Sequence, residues 1–376
     1  MNYTILIYLI AEIMTIIFMY YAEKNKRKEK RIYKLFYILS ILPFAILFVL
    51  RSKYVGKDYI VYSKAFEGIM NNTLSERQKD WLPIGFRTIC IILGWIFNNN
   101  YYIVFAIINI TALSFLIKGL WDNSKYPTFS LFIMISLCLH FQIFNQFRQM
   151  LAISLTFYAY KYLKDRKMWK YIIITLIAGM IHTSAFIMLP VYFFSNMKLN
   201  RKTFGVYIVS MILALSGFEF TRDLLANTYY GKIYFSSPVD VSNKKAILNL
   251  GLRFMMLIGS LLFYKRLIVT DENNKYLYNL VIFCTIVQIL AAQSYIFARL
   301  TTYLFIYYIL LIPNIFDELI KNIKSKRIKK FLSILLILVL TLYQLVYYFS
   351  SSGAATGGYE KYITVIEDFN KIGLER

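Results

Sequence analysis

The chain is poor in the residue types that build most metal sites, crosslinks and turns: its 376 residues hold three cysteines, two histidines and six prolines. Cys90, Cys138 and Cys284 lie far apart, each inside an apolar stretch. They read as small hydrophobes in packed helices, not as a disulfide framework or a zinc site. Two histidines cannot make a histidine-rich metal centre, and no Cys/His spacing suggests zinc. Acidic residues are scarce as well, 20 Asp and Glu against 43 Lys and Arg. There is no glycine-rich phosphate loop, no Asp-x-Asp pair on a soluble domain and no serine nucleophile elbow. These absences argue against nucleotide-dependent chemistry on the cytoplasmic side. A substrate would have to carry its own activation.

Apolar surface is abundant. The chain is 59% hydrophobic and 18% aromatic, with a mean hydropathy of +0.53, more than one soluble core can bury. Apolar runs recur at lengths suited to about 30 Å of hydrocarbon. The fold expected is an all-α polytopic transmembrane bundle, with residues 1–349 as a single bundle. Its first run, Tyr3–Tyr21, lacks a basic leader and a small-residue cleavage site, and is expected to persist as a helix. The net charge of +23 does not point to nucleic acid, because most Lys and Arg sit in short loops beside apolar runs. That is the positive-inside pattern.

Five basic segments, Glu23–Lys34, Lys161–Lys170, Lys198–Lys202, Lys265–Lys275 and Lys321–Lys330, placed together in the cytoplasm, predict about twelve crossings (11–13). They fall near 3–21, 35–50, 101–120, 128–144, 149–163, 168–181, 184–196, 203–219, 248–264, 276–293, 298–313 and 331–349. Both termini are then extracytoplasmic. Residues 82–97 are expected as an amphipathic or re-entrant helix on the outer face with Arg87 solvated. Residues 168–196 are expected as a tight hairpin around His182. Outside the membrane lie a loop at 51–100 with juxtamembrane helices, a loop at 221–249 and a tail at 350–376. Heavy use of Ile, Lys, Asn and Tyr suggests a low-GC bacterium, hence a bacterial cytoplasmic membrane.

Arginines interrupt this pattern. Arg148 stands between two apolar stretches, where a charge at a helix centre costs about 2.5–3.5 kcal/mol on insertion scales. Arg299 and Arg253 show the same placement, and Arg51 sits at a helix end. All four fall on the predicted outer side, which suggests one outward-facing cationic cavity for an anion. Arginine suits phosphate because its planar fork donates two parallel hydrogen bonds; the alternative for each is snorkelling to interfacial water. Asn145 and Gln149 crowd Arg148, and Tyr303 follows Arg299 by one helical turn. After Gly56, Asp58 and Tyr62 share a helix face with Tyr59 beside them; Asp58 could equally be an N-cap. His182 titrates in a range suited to a general base, or it is a satisfied structural donor. Glu12, inside the first helix, has no evident partner in the sequence and is left out of the site.

Arg51…Gly56-x-Asp58-Tyr59-x-x-Tyr62, Asn145-Gln146-Phe147-Arg148-Gln149-Met150-x-Ala152, His182-Thr183-Ser184-Ala185 and Arg299-x-x-x-Tyr303…Pro313 occur in that order. Together they resemble the EpsG-like branch of the Wzy-type polysaccharide polymerases, over most of residues 1–315. The chain departs from that family's Glu-Pro-x-Phe at Trp81-Leu82-Pro83-Ile84-Gly85-Phe86, which leaves Asp58 as the carboxylate candidate. The resemblance implies a GT-C-like membrane glycosyltransferase without metal or cofactor. It would polymerise undecaprenyl-diphosphate-linked oligosaccharides into exopolysaccharide, capsule or O-antigen at the outer face. Arg51, Arg148, Arg299 and Arg253 would hold the diphosphate, and Asp58 or His182 would act as base. Tyr59, Tyr62, Asn145, Gln149 and Tyr303 would complete the substrate contacts. Membrane lipids, a flippase and a chain-length regulator are the implied partners. An O-antigen-ligase-like transferase and a lipid-linked oligosaccharide flippase need the same cationic cavity. The ligase differs in its acceptor, and the flippase should show internal repeats.

Overall fold

The computed structural model describes residues 3–217, 223, 244–294, 297–350 and 362–366. Most of the expected outer loop 221–249 and of the tail 350–376 falls outside these described residues. Every regular element among them is helical. The one extended pairing there is an isolated antiparallel bridge from Arg51 to Thr364.

The elements run α1 (Tyr3–Arg27), α2 (Tyr33–Leu39), α3 (Leu42–Leu50), α4 (Lys57–Met70), α5 (Glu76–Trp81), α6 (Ile84–Ile96), α7 (Tyr101–Asn123) and α8 (Pro127–Ser136). A 3-10 turn, Leu139–Phe141, precedes α9 (Gln142–Asn145), α10 (Phe147–Lys164) and α11 (Met168–Ile181). After a second 3-10 stretch, Thr183–Met188, come α12 (Val191–Phe194) and α13 (Arg201–Ser216). Then follow α14 (Lys244–Leu261), α15 (Tyr264–Thr270), α16 (Asn274–Gln293), α17 (Ala298–Phe305), α18 (Tyr308–Lys321) and α19 (Lys326–Ser350).

Local chemistry sets several starts. The Asn100 side chain accepts from the backbone N–H of Tyr102 (3.1 Å) and Ile103 (3.3 Å), opening α7. Ser75 with Gln78, and Asn200 with Thr203, form capping boxes on α5 and α13. Such caps satisfy N–H groups that a first turn leaves unpaired. Pro127 opens α8, where its missing N–H is harmless. Glu23 Oε2 holds the same end by accepting from Thr128 N (2.9 Å) and Oγ1 (2.6 Å).

Among the described residues, five stretches are long and apolar enough to cross a membrane: Tyr3–Arg27, Tyr33–Leu50, Tyr101–Asn123, Asn274–Gln293 and Lys326–Val346. Three bent pairs raise the number to eight if each is one span. Ile10, Ile13 and Ile17 on α1, and Phe331, Ile334 and Leu338 on α19, are exposed. Apolar faces of that extent suit lipid rather than water. The chain is a multi-pass helical membrane protein.

Several expected helices are broken. The stretch near 128–144 ends as α8 at Ser136. Cys138 then takes a left-handed φ of 57°, and the path bends by 70° into Leu139–Asn145. The stretch near 298–313 bends by 44° between α17 and α18. Beyond His182 the chain forms a 3-10 stretch and only a four-residue α12, which starts after Pro190. That segment still runs back antiparallel: the Tyr171 hydroxyl donates to Met188 O (2.6 Å), and Arg166 Nη1 to Tyr192 O (2.8 Å). α6 occupies the region expected to be amphipathic, but its exposed side carries Ile84, Ile91, Ile92 and Trp95. Arg87 is half-buried with its Nε enclosed, not solvated. The reason is the neighbouring hairpin tip, where Gly85 packs so closely that a Cβ would lie 2.7 Å from Met180 O.

The chain divides into two compact units. Residues 1–158, 177–183 and 325–376 form the first, in which α1 packs on α2, α3 and α8, α3 on α7, α4 on α6, and α19 on α8. Residues 159–176 and 184–324 form the second. Its centre is the largely buried α16, surrounded by α13, α14, α17 and α18. Asn279 on α16 accepts from the Tyr207 hydroxyl (2.7 Å) and donates to Ser195 O (2.7 Å) and Met197 O (2.8 Å), so one side chain ties three segments.

Candidate anion-binding site

Among the described residues of the first unit, two arginines are buried. Arg51 leaves α3 in an extended conformation (φ −73°, ψ 141°) and is 1% exposed. Its Nη1 donates to Phe144 O at 2.7 Å, and its Cζ lies 4.3 Å from the Tyr59 ring centroid and 5.5 Å from that of Phe144. Guanidinium over an aromatic face is a favourable contact. It leaves Nε and Nη2 enclosed without a hydrogen bond of acceptable geometry. Burial pushes the guanidinium below its ordinary pKa, while Tyr59, Tyr8 and Tyr362 oppose that shift. Burial in turn raises the Tyr59 hydroxyl, with Arg51 opposing. A cation so placed favours any anion that reaches it.

The backbone around Arg51 is built for close approach. Gly56, just before α4, has φ +95°, and a Cβ there would lie 2.4 Å from Phe144 O, the same carbonyl that Arg51 holds. Glycine is therefore required twice, by conformation and by space. The Asp58 N–H donates to Asn145 Oδ1 at 3.1 Å. So a side chain 87 positions along the sequence caps α4, and Asp58 stands in its first turn, half-buried, rather than at the N-cap. A terminal segment closes the other side. Ser52 N donates to Ile363 O (2.8 Å), Tyr362 N to Thr4 Oγ1 (3.0 Å), and the Tyr362 hydroxyl to Leu47 O (2.8 Å).

Arg148, second in α10, is 2% exposed. Its Nη1 donates to Trp81 O at 2.8 Å. Its Cζ lies 4.8, 5.5 and 5.7 Å from the ring centroids of Trp81, Tyr62 and Phe86. Nε is enclosed and unpartnered. α5 ends at Trp81, so Arg148 satisfies a carbonyl that the helix terminus leaves open. Tyr59 against Arg51 and Tyr62 against Arg148 are one turn apart on α4, which puts both arginines along one helix face. Gln149 is buried beside Arg148, and His182 is buried at the hairpin tip two residues from Met180.

Arg253, Arg299 and Tyr303 belong to the second unit. The Arg253 guanidinium, on α14, sits 3.3 Å from the Phe305 ring centroid on α17. Arg299 is the second residue of α17, and Tyr303, one turn on, is fully buried. Both arginines are half-buried, unlike the pair in the first unit.

Sequence reading missed the backbone carbonyls of Phe144 and Trp81, since any residue offers a carbonyl, and it missed Tyr362 because the resemblance extended only to about residue 315 and the tail carried no motif. It also left Glu12 without a partner. In fact Glu12 Oε1 meets His140 Nε2 at 2.9 Å and Oε2 accepts from Gln344 Nε2 at 2.7 Å. No group of three or more His, Cys, Asp or Glu able to hold a metal occurs among the described residues.

Comparison with known proteins gives one finding of weight. Neither the curated proteins nor the solved structures provide a match to this chain. Residues 34–363 match the EpsG family, a span that includes every candidate residue above and runs on through Tyr362. Covering nearly the whole chain, that match establishes membership: the chain belongs to the EpsG family, a family of Wzy-type polysaccharide polymerases.

Proposed function

We propose that this protein is a membrane glycosyltransferase that polymerises undecaprenyl-diphosphate-linked oligosaccharide units at the outer face of the bacterial cytoplasmic membrane. A hydroxyl of the incoming unit attacks the anomeric carbon of the growing chain. The bond from that carbon to the diphosphate oxygen breaks, the electron pair leaves with undecaprenyl diphosphate, and the hydroxyl proton passes to Asp58 or His182. Charge grows on the leaving group, and arginines fixed in a low-dielectric site stabilise it more than water-exposed ones would. Arg51 and Arg148 serve the diphosphate, with Tyr59, Tyr62, Asn145 and Gln149 around them. Arg253, Arg299 and Tyr303 are assigned to the same class of ligand. The bundle has about twelve crossings in a GT-C-like arrangement, with both termini outside.

One observation carries this reading: Arg51 is wholly enclosed, and its Nε and Nη2 make no hydrogen bond of acceptable geometry. Leaving one buried polar group unmet costs about 1–3 kcal/mol, more when charged, which an anionic ligand offsets. Orientation has support as well. Along α1, Thr4 lies with Tyr362 near Ser52, whereas Glu23 lies at the opposite end beside the basic segment. The positive-inside pattern assigns that end to the cytoplasm and the Arg51 end to the exterior. In cells, Arg148→Lys should abolish long polymer, leaving lipid-linked single units and normal protein abundance. Normal chain length in that variant would sink the assignment.

A further inference from the structure

Glu12, His140 and Gln344 make a polar cluster deep in the first unit, one turn along from the walls of the Arg51 site. Glu12 follows Tyr8 by four residues on α1, and Phe144 follows His140 by four, so these two members each stand one turn from a residue that borders Arg51. All three are buried, His140 and Glu12 to 2% exposure or less. The cluster grips the short Leu139–Asn145 segment after the 70° bend. That segment lacks the long i→i−4 ladder that fixes a straight helix in an apolar surround, yet it presents Phe144 O to Arg51 and Asn145 Oδ1 to Asp58 N. α1 holds it through Glu12, and α19 braces Glu12 in turn through Gln344.

We infer that Glu12, His140 and Gln344 are positioning residues: they fix the bent segment so that its Phe144 carbonyl aims the Arg51 guanidinium at the ligand. The inference rests on the reading of Arg51 as a diphosphate ligand. A purely structural role makes a different prediction. Replacing a buried polar cluster with apolar residues of similar volume is often neutral or stabilising for the fold, so stability alone would not require this one.

The test uses the purified full-length chain and farnesyl diphosphate as a short prenyl diphosphate probe. Glu12→Leu should weaken probe binding on the order of 10- to 100-fold, as when a ligating group loses its outer hydrogen-bond partner. Glu12→Gln, which keeps both hydrogen bonds once the Gln344 amide turns over, should restore most of it. In an Arg51→Lys background, Glu12→Leu should cause no further loss, because both act through one guanidinium. His140→Leu provides the same comparison from the other side of the pair if Glu12→Leu does not fold. Unchanged binding in both leucine variants, or losses that add fully to that of Arg51→Lys, would overturn the positioning role. Failure of the wild-type chain to bind the probe would instead overturn the Arg51 assignment, and this inference with it.

Discussion

At the scale of single residues, the informative groups are those that the local rules do not explain. Arg51 and Arg148 are each held by one backbone carbonyl and an aromatic wall, and each keeps at least one enclosed N–H without a partner. Snorkelling would have carried them toward interfacial water; burial among rings does not. Gly56 is the strictest backbone position near them. Gly56→Ala should lower stability by at least about 1–3 kcal/mol, the cost of holding a non-glycine residue in such a conformation. It should also abolish polymer, because the new Cβ would push on the carbonyl that Arg51 holds. Thermal unfolding of the purified variant measures the first effect, and an unchanged midpoint would contradict the geometry. The arginines were legible in the sequence because charge inside apolar stretches stands out. Their partners were not, since a carbonyl leaves no mark in sequence and Asn145 reaches α4 from 87 positions away.

At the scale of elements, the terminal strap and the bent helix matter most. Around Arg51, Tyr8, Tyr59 and Phe144 all stand on helices, while Tyr362–Thr364 is extended and tied by a few hydrogen bonds. On the proposed function, the strap is therefore the part of the enclosure that yields to a ligand. Ser52 N donates to Ile363 O beside the antiparallel bridge of Arg51 to Thr364; directly opposed antiparallel residues have Cα atoms about 4.5–5.5 Å apart, within disulfide range. The double variant Ser52→Cys/Ile363→Cys should polymerise when reduced, stop when oxidised and recover with reductant. The native cysteines are all buried and should not interfere. Full activity of the oxidised form would show that the strap does not move. Hydrophobic pattern and basic loops located most helices within a few residues, and α11 to the residue. The breaks escaped because no Gly, Pro or charged residue marks Ser136–Leu139 or Phe305–Tyr308. Only the backbone reveals that Cys138 turns left-handed there.

At the scale of the whole molecule, membership of the EpsG family and a helical, lipid-compatible fold limit the chemistry to the membrane. Composition alone made the membrane assignment legible, because 59% hydrophobic residues exceed what a soluble core hides. The division into two units was not legible, since nothing in residue order marks where α10 passes from one to the other. The claim that organises the rest is that a buried cation in the first unit drives departure of a lipid diphosphate. Its most direct test is the purified protein in liposomes with lipid-linked repeat units, resolved by product length, for the wild type and for Arg51→Lys and Arg148→Lys. A ladder of products from the wild type, with each lysine variant slowed about 100- to 1,000-fold as for loss of one preorganised charge-stabilising donor, is the predicted result. A ladder from both lysine variants at wild-type rate would contradict it.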